Sequence, residues 1–346
     1  MEMLRDRIYM PIYADRKVSY KRVKISVIGC GREGIAAAFC ILTKGIATEL
    51  TLIDLDEELI EAEVKDLQGA AEYYPGCLIY GGANYKLVSN STIIIMCERI
   101  PLLDGEDKLT HAQRSLDMFK RIIPHIVESS PKSIVIVVSE PVDIMCYIAW
   151  RLSGFEKNRV FGIGTALESA AFRVGISQKL NVSPSTVRAH ILGEHGPHSV
   201  PIFSSVECGG VRLRSVYPAF GTEKDTEGYS KIPDTINTKF AFSVMEIVAK
   251  SNLFIKSVKA NSSWSIGLIA CYTCEAILND ANIIIPLSTH AKNLPGIDRD
   301  IFMSLPCIVN ANGVRGVMFE DVEEDEKEKL YASAKELEEL ILSINW

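Results

Sequence analysis

The chain has 346 residues, 47% of them hydrophobic, and a formal net charge of −7, which is enough length for two domains sharing an extensive core. The acidic balance argues against a nucleic-acid surface. No apolar run is long enough to span a membrane, and the first residues lack the apolar segment of a signal peptide, so a cytoplasmic location is expected.

Residues 1–20 mix charge with aromatics (Arg5, Arg7, Tyr9, Tyr13, Arg16) and read as an arm, either disordered or laid on a neighbouring subunit. The stretch that follows organises the chain. Val23–Ile28 is β-branched, as in a buried strand. Gly29-Cys-Gly31-Arg-Glu-Gly34 makes a tight turn, Ala36–Leu42 has helical composition, and Glu49–Asp54 is a second apolar run ending in an acid. A strand, Gly-x-Gly-x-x-Gly, a helix, a strand and an acid about twenty residues on make up the dinucleotide fingerprint. Gly29 allows the turn, Gly31 lets backbone N–H groups approach a pyrophosphate, and Gly34 lets helix pack on strand. The helix N-terminus favours negative charge. Asp54 would accept hydrogen bonds from a ribose diol and repel a 2′-phosphate, so NAD is expected rather than NADP.

Further strands are expected at Leu78–Tyr80, Thr92–Met96 and Ile134–Val138. Between the last two, a polar loop at Asp104–Lys108 opens into an amphipathic helix running to about Val127. Strands alternating with helices predict a parallel sheet covered on both faces. After Val160–Gly162 the pattern changes. Thr165–Leu180 is helical, and Val187–Leu192, Pro201–Val206 and Gly210–Leu213 are short strands. Helices are expected over Lys239–Ser251 and Ser262–Asp280, then strands at Asn282–Leu287, Cys307–Asn310 and Val314–Phe319. Glu323–Ser343 closes the chain as a helix whose apolar residues, Leu330, Ala334, Leu337, Leu340 and Ile341, recur at helical spacing. The expected fold is α/β, with a Rossmann-type doubly wound parallel sheet over residues 21–161 and an α+β domain over residues 162–346.

Nine cysteines are scattered mostly through apolar stretches and read as reduced thiols. Cys271 and Cys274 have metal-pair spacing, but they lie in a helix interior without a second ligand pair. A structural role is expected and no metal site.

At Ile191-Leu-Gly-Glu-His195-Gly the chain resembles the L-lactate/malate dehydrogenase family, on its animal-type lactate dehydrogenase side. Other blocks carry the resemblance over nearly the whole length. They include Lys44-Gly-Ile-Ala-Thr-Glu-Leu, Pro141-Val-Asp-Ile, Trp150-Arg-Leu-Ser-Gly-Phe, Asn158-Arg-Val, Ser263-Trp-Ser-Ile-Gly, Leu305-Pro-Cys-Ile-Val and Asn312-Gly-Val. The resemblance implies hydride transfer between NAD and C2 of a small 2-hydroxy acid. It also implies a homotetramer aided by the N-terminal arm, or a hetero-oligomer with related dehydrogenase subunits.

That reaction needs a histidine to move the hydroxyl proton, a carboxylate to orient it, a loop cation to polarise the carbonyl and an arginine to grip the substrate carboxylate. The resemblance maps the first three roles onto His195, Glu168 (where the family has Asp) and Lys108 (where the family has Arg). The cofactor-binding residues it implies are Gly29, Gly31, Gly34, Asp54 and Arg99. The substrate pocket takes in Glu140, Ala171 and Ser262. The gripping arginine is lost: the family's Asp-Ser-Ala-Arg-Phe-Arg is Glu168-Ser-Ala-Ala171-Phe-Arg173 here. Arg173 lies about 200° round the helix from that position and is no substitute; with Arg188 it forms either an anion site or a solvated or salt-bridged pair. Glu140 replaces an asparagine, and its charge opposes an anionic substrate unless burial raises its pKa. On the cofactor side, Glu33 replaces a small apolar residue with Arg32 available to offset it, and Glu98 replaces a glycine. Three readings follow: a lactate dehydrogenase of weakened activity, a dehydrogenase retuned to a substrate without a carboxylate, or a non-catalytic relative kept for assembly.

Overall fold

The computed structural model describes residues 22–74, 76–222, 245, 255, 257–259, 262–292, 294, 296–318 and 322–346. The arm of residues 1–20 and, Met245 apart, the helix expected over Lys239–Ser251 lie outside the described residues.

The apolar runs of the first half become six parallel strands. These are β1 (Lys24–Ile28), β2 (Glu49–Ile53), β3 (Leu78–Gly82), β4 (Ile93–Met96), β5 (Ile134–Val137) and β6 (Val160–Gly162). Their order across the sheet is β3-β2-β1-β4-β5-β6. Every residue of β2, β4 and β5 is buried, as continuous apolar runs require when helices cover both faces. Those helices are α1 (Arg32–Lys44), α2 (Glu57–Ala70), α3 (Lys108–Ser129) and α4 (Val142–Ser153). Strand order reverses between β1 and β4, which pair in parallel up to Ile28 and Met96. Beyond those carboxyl ends lies the crevice where open α/β sheets bind ligands.

The sheet does not stop at β6. Gly162 pairs with Ser288 of β12 (Ile283–His290), and β12 pairs along its whole length with β13 (Phe302–Asn310). Strands β8 (Ile191–Gly193), β9 (Ser199–Pro201) and β14 (Gly313–Val317) extend the same sheet to eleven strands among the described residues. Among the described residues, β7 (Val187–Arg188), β10 (Glu207–Cys208) and β11 (Val211–Arg212) form a separate small sheet. The strand expected over Val187–Leu192 is therefore split between two sheets. The strand expected over Pro201–Val206 ends at Pro201, because Ser204 turns away to give its backbone N–H to Glu326 at 3.0 Å.

Among the described residues the long helices of the second half are α5 (Ala166–Leu180), α6 (Ser263–Leu278) and α7 (Glu324–Leu342), with a single turn at Leu213–Val216. The start of α5 is pinned rather than capped. The Thr165 side chain does not cap the helix; its hydroxyl donates to the Ile191 carbonyl, and its backbone N–H donates to Ser304 Oγ at 3.0 Å. This fixes the first turn of α5 against β8, the strand that leads to His195. Helix α6 lies on α1 so closely that a Cβ on Gly267 would come within 2.6 Å of the Ala36 backbone. Among the described residues no helix is long and apolar enough to cross a membrane.

Candidate active site and cofactor cleft

His195 follows the end of β8, two residues beyond Gly193, where the chain turns through a positive φ of 88°. Its backbone N–H donates to Asp143 Oδ2 at 2.6 Å, and the other Asp143 oxygen accepts the Ser288 hydroxyl at 2.6 Å. Asp143 is fully buried in the first turn of α4. One carboxylate thus ties together β8, α4 and β12 beneath the histidine. Nothing local in Pro141-Val-Asp143 signals this task, which depends on partners 52 and 145 positions away.

Glu168, in the first turn of α5, stands with Oε1 at 3.4 Å from His195 Nδ1. That is long for a hydrogen bond, as catalytic contacts often are before a ligand tightens them. Burial alone would push the imidazole pKa down. The Glu168 carboxylate, helped by Asp143 and Glu140, outweighs burial and lifts it to about 9. Glu140, half-buried at the end of the loop after β5, adds the smallest of these contributions.

Lys108, the N-terminal residue of α3, points into the same region, but its ammonium is bound by Glu194 Oε1. Glu194 is fully buried, and its other oxygen accepts from the His198 backbone N–H at 3.2 Å and lies 2.9 Å from His198 Nδ1. The loop cation thus pairs with the residue next to His195. Ala171, three residues beyond Glu168 on α5, is half-buried against the small apolar cluster of Phe172, Ile176 and Phe220. Arg173 donates to the Ala189 carbonyl at 3.1 Å, while Arg188 is exposed, so the two arginines take separate roles. Ser262 forms the N-cap of α6.

Across the crevice, Gly29 adopts φ 90°, and a Cβ there would strike the Glu98 backbone at 2.3 Å. A Cβ on Gly34 would come within 1.9 Å of the Gly29 carbonyl oxygen. Gly31 stands at the start of α1, where no side chain caps the helix, and a Cβ there would meet nothing closer than Glu33 Oε2 at 3.9 Å. Asp54 closes the loop: it accepts the Cys30 N–H at 2.7 Å and the Asp56 N–H at 3.0 Å. Beside it opens a cavity of about 710 Å³ lined by Leu55, Tyr85, Glu98, Arg99 and Arg121.

In shape, the glycine cradle and the cavity fit a dinucleotide. The charges are unusual. Glu33 is paired with Arg99, Nη1 to Oε1 at 3.2 Å, whereas Arg32 donates to the Lys259 carbonyl at 2.7 Å. Arg99, expected to serve the cofactor, is thus the partner that offsets Glu33, and Arg32 is not. In the cavity, burial and the nearby Asp54 push the Glu98 carboxyl up to about 7 against the pull of Arg121. Its buried Oε2 has no hydrogen-bond partner among the described residues. No cluster of three or more His, Cys, Asp or Glu able to hold a metal occurs among the described residues. Cys271 and Cys274 are buried in α6 with their thiol pKa values pushed up by burial.

Residues 23–162 match a family model described as lactate/malate dehydrogenase, NAD binding domain, and residues 165–344 match one described as lactate/malate dehydrogenase, alpha/beta C-terminal domain. The chain is 36% identical over 337 residues to the L-lactate dehydrogenase B chain of Homo sapiens, covering 97% of both chains. It is 37% identical over 314 residues to the L-lactate dehydrogenase B chain of Xenopus laevis, covering 91% of this chain and 90% of that one. It is also 37% identical over 314 residues to the L-lactate dehydrogenase A chain of Danio rerio, covering 91% of each.

Proposed function

The chain belongs to the lactate/malate dehydrogenase family, and we propose that it transfers hydride between NAD and C2 of a small 2-hydroxy or 2-oxo acid, nominally lactate and pyruvate. Turnover of these substrates is weakened by Ala171, Glu140 and Lys108. The observation that carries this reading is the Glu168–His195 pair, 3.4 Å apart and set over the buried Asp143. NAD, held along Gly29, Gly31, Gly34 and Asp54, supplies the hydride carrier when bound.

The chain's own residues handle the proton. His195, charged near neutral pH, donates from its imidazolium to the substrate carbonyl oxygen in reduction and takes the hydroxyl proton back in oxidation. Glu168 balances the imidazolium, and Asp143 holds the His195 backbone. Lys108, engaged by Glu194, has less charge free for the carbonyl. With Ala171, no side chain on the Glu168 face of α5 grips a carboxylate. Titrating the purified protein with NADH by nicotinamide fluorescence, followed by pyruvate turnover, tests the proposal. The expected result is saturable NADH binding and slow pyruvate reduction that His195→Asn abolishes. No binding at millimolar NADH would remove the dehydrogenase reading.

A second reading, assembly with identical or related dehydrogenase subunits, is supported by one surface. Trp264, Leu268 and Tyr272 recur every fourth residue on α6 and are 63%, 55% and 52% exposed, with Phe39 of α1 43% exposed. Exposed apolar stripes of this kind mark protein interfaces. Sedimentation of the wild-type chain and of Leu268→Glu tests it, with a tetramer in the first and smaller species in the second expected.

A further inference from the structure

The start of α1 carries a negative charge of its own. Glu33, the second residue of the helix, is only 7% exposed. A Cβ built on Gly31 would find one heavy atom within 4 Å, Glu33 Oε2 at 3.9 Å. The carboxylate therefore lies beside the face of Gly31 that leaves room for a pyrophosphate. No side chain caps Gly31, so the positive end of the helix dipole is directed at that same place. Arg99, arriving from the end of β4, completes an ion pair with Glu33. Arg32, adjacent to Glu33 in sequence, is turned to the Lys259 carbonyl. Of the charges that would receive a diphosphate, the guanidinium is already paired from inside the chain, and the helix N-terminus already has a carboxylate in its first turn.

We infer that Glu33 is a built-in competitor for the diphosphate of the dinucleotide, holding Arg99 and so setting how tightly the cleft binds phosphorylated nucleotides. The inference rests on the dinucleotide reading of the cleft proposed above. A diphosphate entering the site must separate Arg99 from Glu33 and then lie near a carboxylate. An uncharged nucleoside meets neither obstacle. The cleft accordingly discriminates against negative ligand charge, and removing Glu33 frees Arg99 and takes a carboxylate out of the first turn of α1.

The test is equilibrium binding of NADH, ADP and adenosine to the full-length wild-type chain, Glu33→Ala, Glu33→Gln, Arg99→Ala and the Glu33→Ala/Arg99→Ala double variant, by calorimetry and nicotinamide fluorescence. Glu33→Ala should bind NADH and ADP at least about tenfold more tightly, equivalent to about 1.4 kcal/mol, and adenosine within about twofold of wild type. Glu33→Gln keeps the side-chain shape and should show the same direction of change. Arg99→Ala should weaken both phosphorylated ligands, and the double variant should lose most of the gain. The gain should shrink as salt rises, because it is electrostatic. Wild-type and Glu33→Ala proteins that bind NADH and ADP equally would overturn the inference while leaving the dinucleotide reading intact. Absence of NADH binding in every variant would overturn the dinucleotide reading, and this inference with it.

Discussion

The backbone N–H of His195 is hydrogen-bonded at 2.6 Å to Asp143, fifty-two positions earlier in the chain. The histidine is therefore held from its main chain by a buried acid, while Glu168 faces its ring at 3.4 Å. Asp143→Asn keeps the shape but replaces one acceptor oxygen with an amide that faces either the His195 N–H or the Ser288 hydroxyl. The expected loss is about 1–3 kcal/mol of stability, measured by urea unfolding. The His195 imidazole pKa, followed by NMR, should also fall, because a neighbouring negative charge is gone. An unchanged unfolding curve and titration would mean that Asp143 is not what positions the histidine.

Glu168 governs the pH dependence. In the folded chain burial lowers the His195 pKa, but Glu168, Asp143 and Glu140 lift it overall from 6.5 to about 9. A raised histidine pKa contributes stability that is fully present below about pH 6.5 and lost as pH rises through about 9. Carbonyl reduction needs the imidazolium, so its kcat/KM should hold up to about pH 9 and fall beyond. Alcohol oxidation needs the neutral ring and should rise over the same range. Glu168→Gln should move both transitions toward acid by at least about one unit. Profiles that coincide with wild type would show that the carboxylate does not control the proton.

The first half of the fold was legible in sequence because its strands are local apolar runs separated by turn chemistry, from Val23–Ile28 to the glycines and Asp54. The continuation of the sheet into the second half was not. It depends on the pairing of Gly162 with Ser288, which leaves no local pattern. At the site, the blocks around His195 and Glu168 led to the expectation that these two side chains meet, and they stand 3.4 Å apart. The role of Glu194 was not legible, because its partner Lys108 lies eighty-six positions away and only the folded chain brings the two together. The partner of Glu33 was misassigned for a similar reason. Arg32 is adjacent in sequence, whereas Arg99, sixty-six positions away, is adjacent in space.

Two glycines of the same motif should respond oppositely to alanine. At Gly34 a methyl group would meet the Gly29 carbonyl oxygen at 1.9 Å and Val27 Cγ1 at 3.3 Å, so helix and strand must separate. The expected cost is about 3 kcal/mol or more, the upper range for overpacking. At Gly31 the same methyl group meets nothing closer than 3.9 Å. Its stability cost should be no more than about 1 kcal/mol, from the poorer N-cap preference of alanine, while NADH binding weakens because the methyl group occupies the pyrophosphate approach. Thermal unfolding and NADH titration of both variants check the contrast. Equal destabilisation would contradict the packing at Gly34.

Restoring the missing grip tests the substrate side. Ala171 follows Glu168 by three residues on α5 and so shares its face. An arginine there can reach a carboxylate lying against His195, provided that Glu140 does not capture it first. The single change Ala171→Arg should therefore help little, because the new cation has an acid near the imidazole as a competing partner. Ala171→Arg combined with Glu140→Asn should lower the KM for pyruvate and raise kcat/KM by about two to four decades, the range expected when a bidentate charge pair worth about 3–5 kcal/mol is regained. Steady-state kinetics with pyruvate give the answer, with NADH binding as the control for folding. If the double variant binds NADH and gains nothing on pyruvate, the weakness lies elsewhere in the site, and the engagement of Lys108 by Glu194 is the next contact to break.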